Sequence, residues 1–286
     1  MKNISELIAL LTLEQKSENE FIGQNYKTAW GRVFGGQVLA QSLHAAYQTV
    51  PDDRFVHSMH GYFILGGDIS IPIQYHVDKI RDGKSFTTRR VVAFQNEKAI
   101  FNMAASFHLR EEGASHQITI PNVLTPNLLL TDLQQALEIK ATDQDRYNRL
   151  IKSHPKIFEF RPVEKATYLR SQNSLPHSYN WFKTLEKVSV SVPMQHQLLA
   201  FASDYNLLLT ATLPHREAFI ESKMFYTSLD HALWFHRDFT IDDWLLYVTE
   251  SPSASNARGF VRGSIFNKEG IMIASVAQEG LMRKYS

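Results

Sequence analysis

Hydrophobic and polar positions in the first part of the chain follow a helical spacing and then a strand spacing. Residues 3–16 place apolar side chains on one face and predict an amphipathic helix, and residues 21–26 predict a short strand. A second helix is predicted from the Gly35-Gly36 pair to about Val50. Alternation of apolar and polar residues then predicts four antiparallel strands, at 57–65, 71–80, 85–95 and 99–110. This part therefore predicts one central helix followed by an antiparallel sheet.

The C-terminal part of the chain repeats this order. A strand beginning near Phe158 precedes a helix predicted at 194–209, and four more strands are predicted near 226–236, 240–249, 257–267 and 270–283. Between the two patterns lies a proline-marked loop and a polar helix predicted at 131–152. The small-residue segment 253–259 predicts a flexible turn that leads into a strand.

The two patterns also align residue by residue, which indicates an internal duplication. Identical and differing residues fall opposite each other in the helix and again, at one constant offset, in the strands. The aligned pairs are Gln37/Gln197, Leu39/Leu199, Ala40/Ala200, His44/Asp204, Ser58/Ser228 and His108/Gln278. A period of this length indicates duplicated domains and not a solenoid. The positions at which the copies differ in polar chemistry are candidates for function.

This organisation predicts a fold class and a division into domains. A long helix beside an antiparallel sheet is an α+β arrangement. One such unit leaves an edge strand exposed, and two units in one chain can pair their edges into a continuous sheet. We predict an N-terminal unit at 1–112, a linker with a helix at 113–157 and a C-terminal unit at 158–286.

Composition narrows the class of protein. The chain has 286 residues, of which 44% are hydrophobic and 21% charged, as in a soluble globular protein. Its formal charge of +1 gives no support for nucleic acid binding, and the absence of cysteine excludes disulfides and a cysteine nucleophile. The N-terminal apolar stretch is interrupted by Glu6, and no apolar run approaches the ~20 residues of a membrane span. We expect a cytoplasmic protein.

Three polar residues of the second copy are candidates for chemistry. Asp204 lies in the predicted helix, Ser228 at the start of a predicted strand, and Gln278 after an apolar run in another strand. Each also has a purely structural interpretation, as a carboxylate on a helix surface, a hydroxyl in a turn or an amide at a sheet edge. Burial of the Asp or the Gln would require hydrogen-bond partners.

Other motifs give weaker evidence of function. Asp230 and His231 suggest acid–base chemistry, but adjacent strand residues face opposite sides of a sheet, so both cannot enter one site. His231 and His236 form a poor metal pair because no convincing third ligand accompanies them. The chain contains no Gly-x-Ser-x-Gly elbow, no phosphate-binding Walker loop and no dinucleotide-binding glycine motif. We therefore expect no metal and no cofactor.

Taken together, five segments resemble the bacterial acyl-CoA thioesterase II family, in the same order and over nearly the whole chain. They begin at Gly35, Arg81, Ser228, Ser253 and Gln278 and read GGQVLAQ, RDGKSF, SLDHALWFH, SASNARGFVR and QEG. The resemblance implies the double hotdog fold, in which two helix-in-sheet units in one polypeptide form a continuous sheet. It also implies assembly into a homo-oligomer, a dimer or a tetramer, and hydrolysis of fatty acyl-CoA to free fatty acid and CoA.

The resemblance places the family's Asp, hydroxyl and Gln on Asp204, Ser228 and Gln278. Ser228 departs from the commoner Thr: the hydroxyl is kept, but the methyl group that restricts its rotamer is lost. The implied mechanism holds one water on these three side chains, with Asp204 as general base and no covalent intermediate.

The resemblance assigns the remaining candidates secondary roles. The first copy carries His44 and His108 at the aligned positions and is expected to be non-catalytic. Gly35, Gly36 and His57 are predicted to line the path of the acyl chain or CoA.

Two other functions stay open at this point. A hotdog enzyme that hydrates an enoyl-CoA also activates water with an acidic residue, and would need an Asp/His pair in one site. A non-enzymatic acyl-CoA-binding protein would bind the thioester without releasing thiol.

Overall fold

The computed structural model describes residues 1–221 and 224–284, which form seven α-helices and three short 3-10 helices. The α-helices are α1 (Ile4–Leu11), α2 (Gly35–Tyr47), α3 (Asp132–Thr142), α4 (Gln144–Ser153), α5 (Val192–Ser203), α6 (Leu209–Thr212) and α7 (Arg216–Glu221). The 3-10 helices are Pro126–Leu128, Thr167–Leu169 and Leu213–His215. No helix in these described ranges is both long enough and apolar enough to span a bilayer.

Thirteen strands in the described part of the chain form a single sheet. They are β1 (Glu14–Gln15), β2 (Glu20–Gly23), β3 (Arg54–Phe63), β4 (Ile73–Asp82), β5 (Phe86–Gln95), β6 (Lys98–Leu109), β7 (Phe158–Pro162), β8 (His177–Thr184), β9 (Met224–Ser228), β10 (Asp230–Phe235), β11 (Leu245–Ser255), β12 (Arg258–Asn267) and β13 (Met272–Lys284).

The strand order displays the duplication directly. The sheet runs β1-β2-β4-β5-β6-β3-β10-β13-β12-β11-β8-β7, with β9 attached to β13. Outward from the junction of β3 and β10, which we call the seam, both sides present the same succession of strands. All neighbours are antiparallel. The predicted α+β class, with two units sharing one continuous sheet, is therefore confirmed.

The two central helices pack against each other beneath this sheet. Near the end of α2, Nδ1 of His44 lies 3.1 Å from Oε1 of Gln197, and the hydroxyl of Tyr47 lies 2.7 Å from Nδ1 of His196, near the start of α5. One cluster of buried apolar residues extends from Ile4 to Met282. The hydrophobic core crosses the predicted domain boundaries. The boundaries at 112/113 and 157/158 divide the sequence into units, and they stay a prediction. The last two residues of the predicted C-terminal unit lie outside the described residues.

Three predicted helices end earlier than their apolar pattern indicates. The helix predicted at 3–16 ends at Leu11, and Glu14 and Gln15 form β1. The helix predicted at 131–152 is divided at Asp143, whose side chain accepts a hydrogen bond from the backbone N–H of Arg146 and starts α4. The helix predicted at 194–209 ends at Ser203, and Asp204 follows it as the C-terminal cap residue. The left-handed conformation of Asn206, with φ of 59°, prevents the helix from continuing.

The sequence did not predict β1 and β8, and the strand predicted at 240–249 begins only at Leu245. Two further predictions in the C-terminal unit differ from the structure. The strand predicted at 226–236 is divided at Leu229 into β9 and β10, because β10 lies between β3 and β13 whereas β9 pairs with the far end of β13. The turn predicted at 253–259 is shorter than predicted and comprises only Asn256 and Ala257. β11 continues to Ser255, and a tight turn at Asn256 and Ala257, both with positive φ, leads into β12.

Candidate active site

A cavity of about 890 Å³ opens where both units and the linker helices meet. Its wall is formed by the segment that enters α2, the end of β3, helices α3 and α4, the segment that follows α5, and β9. Both units contribute apolar side chains to the wall. The second unit also contributes the carboxylate of Asp204 and the residue Ser228. Apolar wall residues include Val38, Phe63, Ile100, Phe101, Leu207 and Leu208.

Asp204 is a buried carboxylate held by two donors. Nε2 of Gln278 donates to its Oδ1 at 2.8 Å, and the backbone N–H of Gly36 donates a second hydrogen bond. Burial raises the pKa of Asp204 above its ordinary value, and the two hydrogen bonds oppose that effect without cancelling it. The positive end of the α2 dipole, where Gly36 lies, also favours the ionised form. The interpretation of Asp204 as a helix-surface residue is therefore wrong.

The glycine pair allows α2 to approach this carboxylate. A Cβ atom at Gly35 would lie 2.7 Å from Oδ2 of Asp204, and one at Gly36 would lie 2.4 Å from the backbone oxygen of Phe201. No larger residue fits either position without moving the two helices apart. Gly35 lines the cavity, whereas Gly36 contributes its backbone N–H to Asp204.

The structure brings the three sequence-predicted residues to one place. Ser228 is the last residue of β9, where it pairs with Gly280 of β13 and lines the cavity. Gln278 lies in the same strand β13, is 1% exposed and contacts Asp204 from behind the cavity wall. Gln278 is thus a buried residue of a central strand and not an edge residue, since β13 lies between β10 and β12.

His57 lies elsewhere. It is on β3, where its Nε2 is 2.8 Å from the hydroxyl oxygen of Ser106, and it is not among the residues that line the cavity. The bulge between Val56 and Ser58 interrupts the register of β3 with β6 at this position. The structure therefore does not bring His57 to the candidate site.

His231 is the site residue that sequence reasoning missed. Its Nδ1 lies 3.1 Å from Nε2 of Gln278 and 3.8 Å from Oδ1 of Asp204, and its Nε2 lies 3.0 Å from Oγ of Ser203. Burial lowers the pKa of His231 to about 3, so the ring is neutral and its approach to Asp204 is not an ion pair. Asp230 faces the other side of the strand and accepts a hydrogen bond from the backbone N–H of Glu279 at 2.6 Å.

Asp230 and His231 face opposite sides of the strand as predicted, and the carboxylate that lies near His231 is that of Asp204. The signal in the sequence was the alternation of β10, which puts His231 on the buried face together with Leu233 and Phe235. No local pattern places Asp204 opposite that face, because the contact depends on how α5 crosses the sheet.

Tyrosines surround the buried carboxylate and keep its environment weakly polar. Burial raises the pKa of Tyr26, Tyr205 and Tyr247 above the ordinary value, and the nearby negative charge of Asp204 raises it further. The Tyr247 hydroxyl donates to the backbone oxygen of Ser203 at 3.0 Å and so fixes the end of α5. Neutral phenols leave the desolvation of Asp204 largely uncompensated, which is why its pKa is raised.

The first unit presents different chemistry at the aligned helix position. His44 is buried at the end of α2, where burial lowers its pKa and its ring contacts Gln197. His108 stacks on Phe86 with ring centroids 4.1 Å apart. That this unit is non-catalytic stays a prediction. Within residues 1–221 and 224–284, no group of three or more His, Asp or Glu side chains is arranged to hold a metal ion.

Comparison with known proteins identifies the family. A family model described as acyl-CoA thioesterase matches residues 152–281, and one described as the acyl-CoA thioesterase N-terminal domain matches residues 26–108. Acyl-CoA thioesterase 2 of Haemophilus influenzae is 38% identical over 285 residues, with 98% of each chain covered. The chain belongs to the acyl-CoA thioesterase family.

Solved structures agree with this membership of the acyl-CoA thioesterase family. The acyl-CoA thioesterase II TesB2 of Mycobacterium marinum is similar with a TM-score of 0.80 and 35% identity, covering 97% of this chain and 98% of that one. A hot dog fold protein of unknown function from Alicyclobacillus acidocaldarius has a TM-score of 0.74 at 17% identity, with 97% of each chain covered, and supports the fold alone. The resemblance to the thioesterase II family and the double hotdog fold are thus confirmed.

Proposed function

We propose that this protein hydrolyses fatty acyl-CoA to free fatty acid and CoA. The observation that carries the proposal is Asp204: a buried carboxylate with raised pKa, oriented by Gln278 and Gly36, in the wall of a cavity lined largely by apolar side chains. A raised pKa suits a general base, because proton transfer is most efficient when the pKa of the base approaches the working pH. An apolar cavity suits a fatty acyl chain.

The proposed reaction uses one water and no covalent intermediate. Asp204 takes a proton from the water while the water oxygen forms a bond to the thioester carbon. The tetrahedral intermediate then collapses, the carbon–sulfur bond breaks, and the CoA sulfur leaves with the proton that Asp204 had taken. Ser228 orients the water from the cavity wall, and Gln278 orients the carboxylate through the 2.8 Å hydrogen bond to Oδ1. Asp204 is ionised again at the end of the cycle.

The negative charge that develops on the thioester oxygen requires donors of its own. Backbone N–H groups at the start of α2 are the proposed donors, since Gly35 lines the cavity there and the positive end of the helix dipole favours an oxyanion. One such donor is typically worth roughly 3–4 kcal/mol of transition-state stabilisation. Because Gly35 has no side chain, the thioester can approach the backbone of α2 closely, so we propose that Gly35 contacts the substrate and that Gly36 holds Asp204.

The test is thiol release from palmitoyl-CoA and from a short-chain acyl-CoA. Because the chain contains no cysteine, a thiol reagent reports only the CoA that is released. Asp204→Asn keeps the shape of the side chain and removes the base, so kcat should fall by at least about 10²-fold, as loss of a general base typically does. An Asp204→Asn variant with nearly the wild-type kcat would refute the assignment.

A matched control is available at Asp230, two residues after Ser228. Asp230 is a half-buried carboxyl whose pKa burial also raises, but it faces away from Asp204 and bonds to the backbone of Glu279. Asp230→Asn should retain thiol release, so a loss confined to Asp204→Asn cannot be ascribed to removal of any buried carboxylate.

The alternatives predict different products. A hydratase would consume the double bond of an enoyl-CoA without releasing thiol, and a binding protein would bind palmitoyl-CoA with no product. The Asp204–His231 approach at 3.8 Å is the feature that a hydratase would use, yet His231 is completely buried behind Gln278 and its ring nitrogens contact Ser203 and Gln278. This burial favours hydrolysis.

We also propose a homo-oligomer, a dimer or a tetramer, which light scattering of the purified protein would test.

A further inference from the structure

We propose that His231 is a positioning residue, which fixes the amide of Gln278 and, through it, the carboxylate of Asp204. The inference rests on the proposed function, because it assigns His231 a part in preparing Asp204 for the reaction. His231 does not line the cavity and is 1% exposed, so it cannot touch the substrate. Its effect must pass through the side chains that it contacts.

Ser203 determines which ring nitrogen of His231 carries the proton. The Oγ of Ser203 donates to the backbone oxygen of Ala200 at 3.0 Å, one turn earlier in α5. A hydroxyl has one proton, so it must accept at its other contact, the 3.0 Å contact to Nε2 of His231. His231 therefore carries its proton on Nε2, and Nδ1 is left as an acceptor.

That acceptor then fixes the Gln278 amide. The Nε2 group of Gln278 has two protons, and its two contacts are Oδ1 of Asp204 at 2.8 Å and Nδ1 of His231 at 3.1 Å. Its Oε1 has no hydrogen-bond partner among the described residues, so nothing on that side of the amide selects an orientation. The nitrogen contacts alone decide which way the amide faces.

The opposite orientation is unfavourable at both contacts. Rotating the amide would turn Oε1 of Gln278 towards the carboxylate of Asp204 and towards the lone pair on Nδ1 of His231. Acceptors would then face each other in a buried environment, where unpaired polar groups are costly. With His231 present, both contacts favour the orientation in which Gln278 donates to Asp204, and without His231 that preference rests on Asp204 alone.

The principal test is His231→Phe, which keeps a planar ring and removes the acceptor. We expect kcat to fall roughly 10- to 100-fold, as displacement of a catalytic group typically costs. KM should remain close to the wild-type value because His231 does not line the cavity. Ser203→Ala is a milder second variant, since it removes the acceptor of the Nε2 proton and leaves the imidazole in place. It should lower kcat in the same direction.

A matched control separates positioning from loss of stability. His196 is likewise buried, and burial lowers its pKa to about 3. It lies near the start of α5, away from the site, where its ring contacts Tyr47 of α2. His196→Phe should lower the thermal midpoint as His231→Phe does, but retain kcat at temperatures where it is folded. Equal kcat losses in the two folded variants would overturn the proposal.

A double-mutant cycle gives the sharpest result. Because His231 acts through Gln278, His231→Phe should have no further effect on kcat in a Gln278→Ala background, whereas multiplied losses would show an independent action and overturn the proposal. If the wild-type protein releases no thiol, the proposed function fails. If it does, and Asp204→Asn and Gln278→Ala both retain that release, the assignment of the catalytic site fails. If they lose it while His231→Phe does not, only the role of His231 fails.

Discussion

At the scale of single residues, the site depends on burying a carboxylate at the end of a helix. Asp204 follows α5 directly, where a negative charge opposes the helix dipole of its own helix and gains from the N-terminus of α2. Gly36 and Gln278 supply the hydrogen bonds that a buried carboxylate requires. The arrangement keeps Asp204 dry enough to have a raised pKa and still able to ionise.

This environment predicts the direction of the pH dependence. The proposed base must be ionised, so kcat/KM should fall as pH drops through the pKa of Asp204, by roughly tenfold per pH unit below it. Burial raises that pKa, so the midpoint should lie above the ordinary value of 3.8. The titratable groups that face Asp204 are His231, neutral above a pKa of about 3, and the phenols of Tyr26, Tyr205 and Tyr247, whose pKa values are raised. None of these four should add a second transition between pH 4 and 9.

The pH–rate profile of palmitoyl-CoA hydrolysis measures this directly. Any residual activity of Asp204→Asn serves as the control and should lack the acid transition. A wild-type midpoint at or below 3.8, or a transition that survives in the variant, would contradict the assignment of Asp204 as the base.

At the scale of elements, the end of α5 is what delivers Asp204 to the cavity. The chain leaves the helix through Asn206, whose φ of 59° is unfavourable for residues with a Cβ but is tolerated by Asn. Asn206→Val should lower the free energy of unfolding by about 1–2 kcal/mol, because a β-branched residue strongly disfavours this conformation. Asn206→Gly should stay within about 1 kcal/mol of wild type, since Gly adopts this conformation without strain. Urea denaturation of both variants gives the comparison, and equal losses would show that the backbone conformation is not what matters.

Element boundaries also mark the limit of what the sequence predicts. The four long strands of the first unit, β3 to β6, follow from period-two alternation. The end of α5 does not, because apolar residues continue past Ser203 at helical spacing and only the backbone at Asn206 stops the helix. The hairpin at Asn256-Ala257 was obscured for a related reason. Ala in a left-handed conformation is unusual, and the flanking small residues resemble a loop.

The same reasoning explains why part of the site was predictable. Asp204 and Gln278 stand out from the duplication, and these two residues together with Ser228 stand out from the resemblance to the thioesterase II family. His231 does not, because its partners Ser203, Asp204 and Gln278 come from a helix end and another strand. Contacts of this kind depend on how α5 crosses the sheet, and no local pattern encodes that crossing.

At the scale of the whole molecule, the site belongs to neither unit by itself. Asp204, Ser228 and Gln278 come from the second unit, whereas Gly36 and much of the apolar cavity wall come from the first, and α3 and α4 of the linker complete the wall. The seam pairs residues from Asp230–Tyr62 to Trp234–Ser58 and continues the sheet through both units. Duplication has therefore produced one site from two surfaces that are each incomplete.

This organisation predicts that the second unit is inactive alone, although it carries all three candidate catalytic side chains. A fragment of residues 113–286 would expose the edge of β10 and the face of α5 that packs on α2, and Asp204 would lose the N–H of Gly36. Thiol release should fall by at least about 100-fold, as misplacement of a catalytic group typically costs, and cooperative unfolding should be lost. Co-expression with residues 1–112 should restore both, because the cut falls in the segment after β6, where the sequence is polar and largely exposed. A fragment with full activity by itself would contradict this view, since it would mean that Asp204 needs nothing from the first unit.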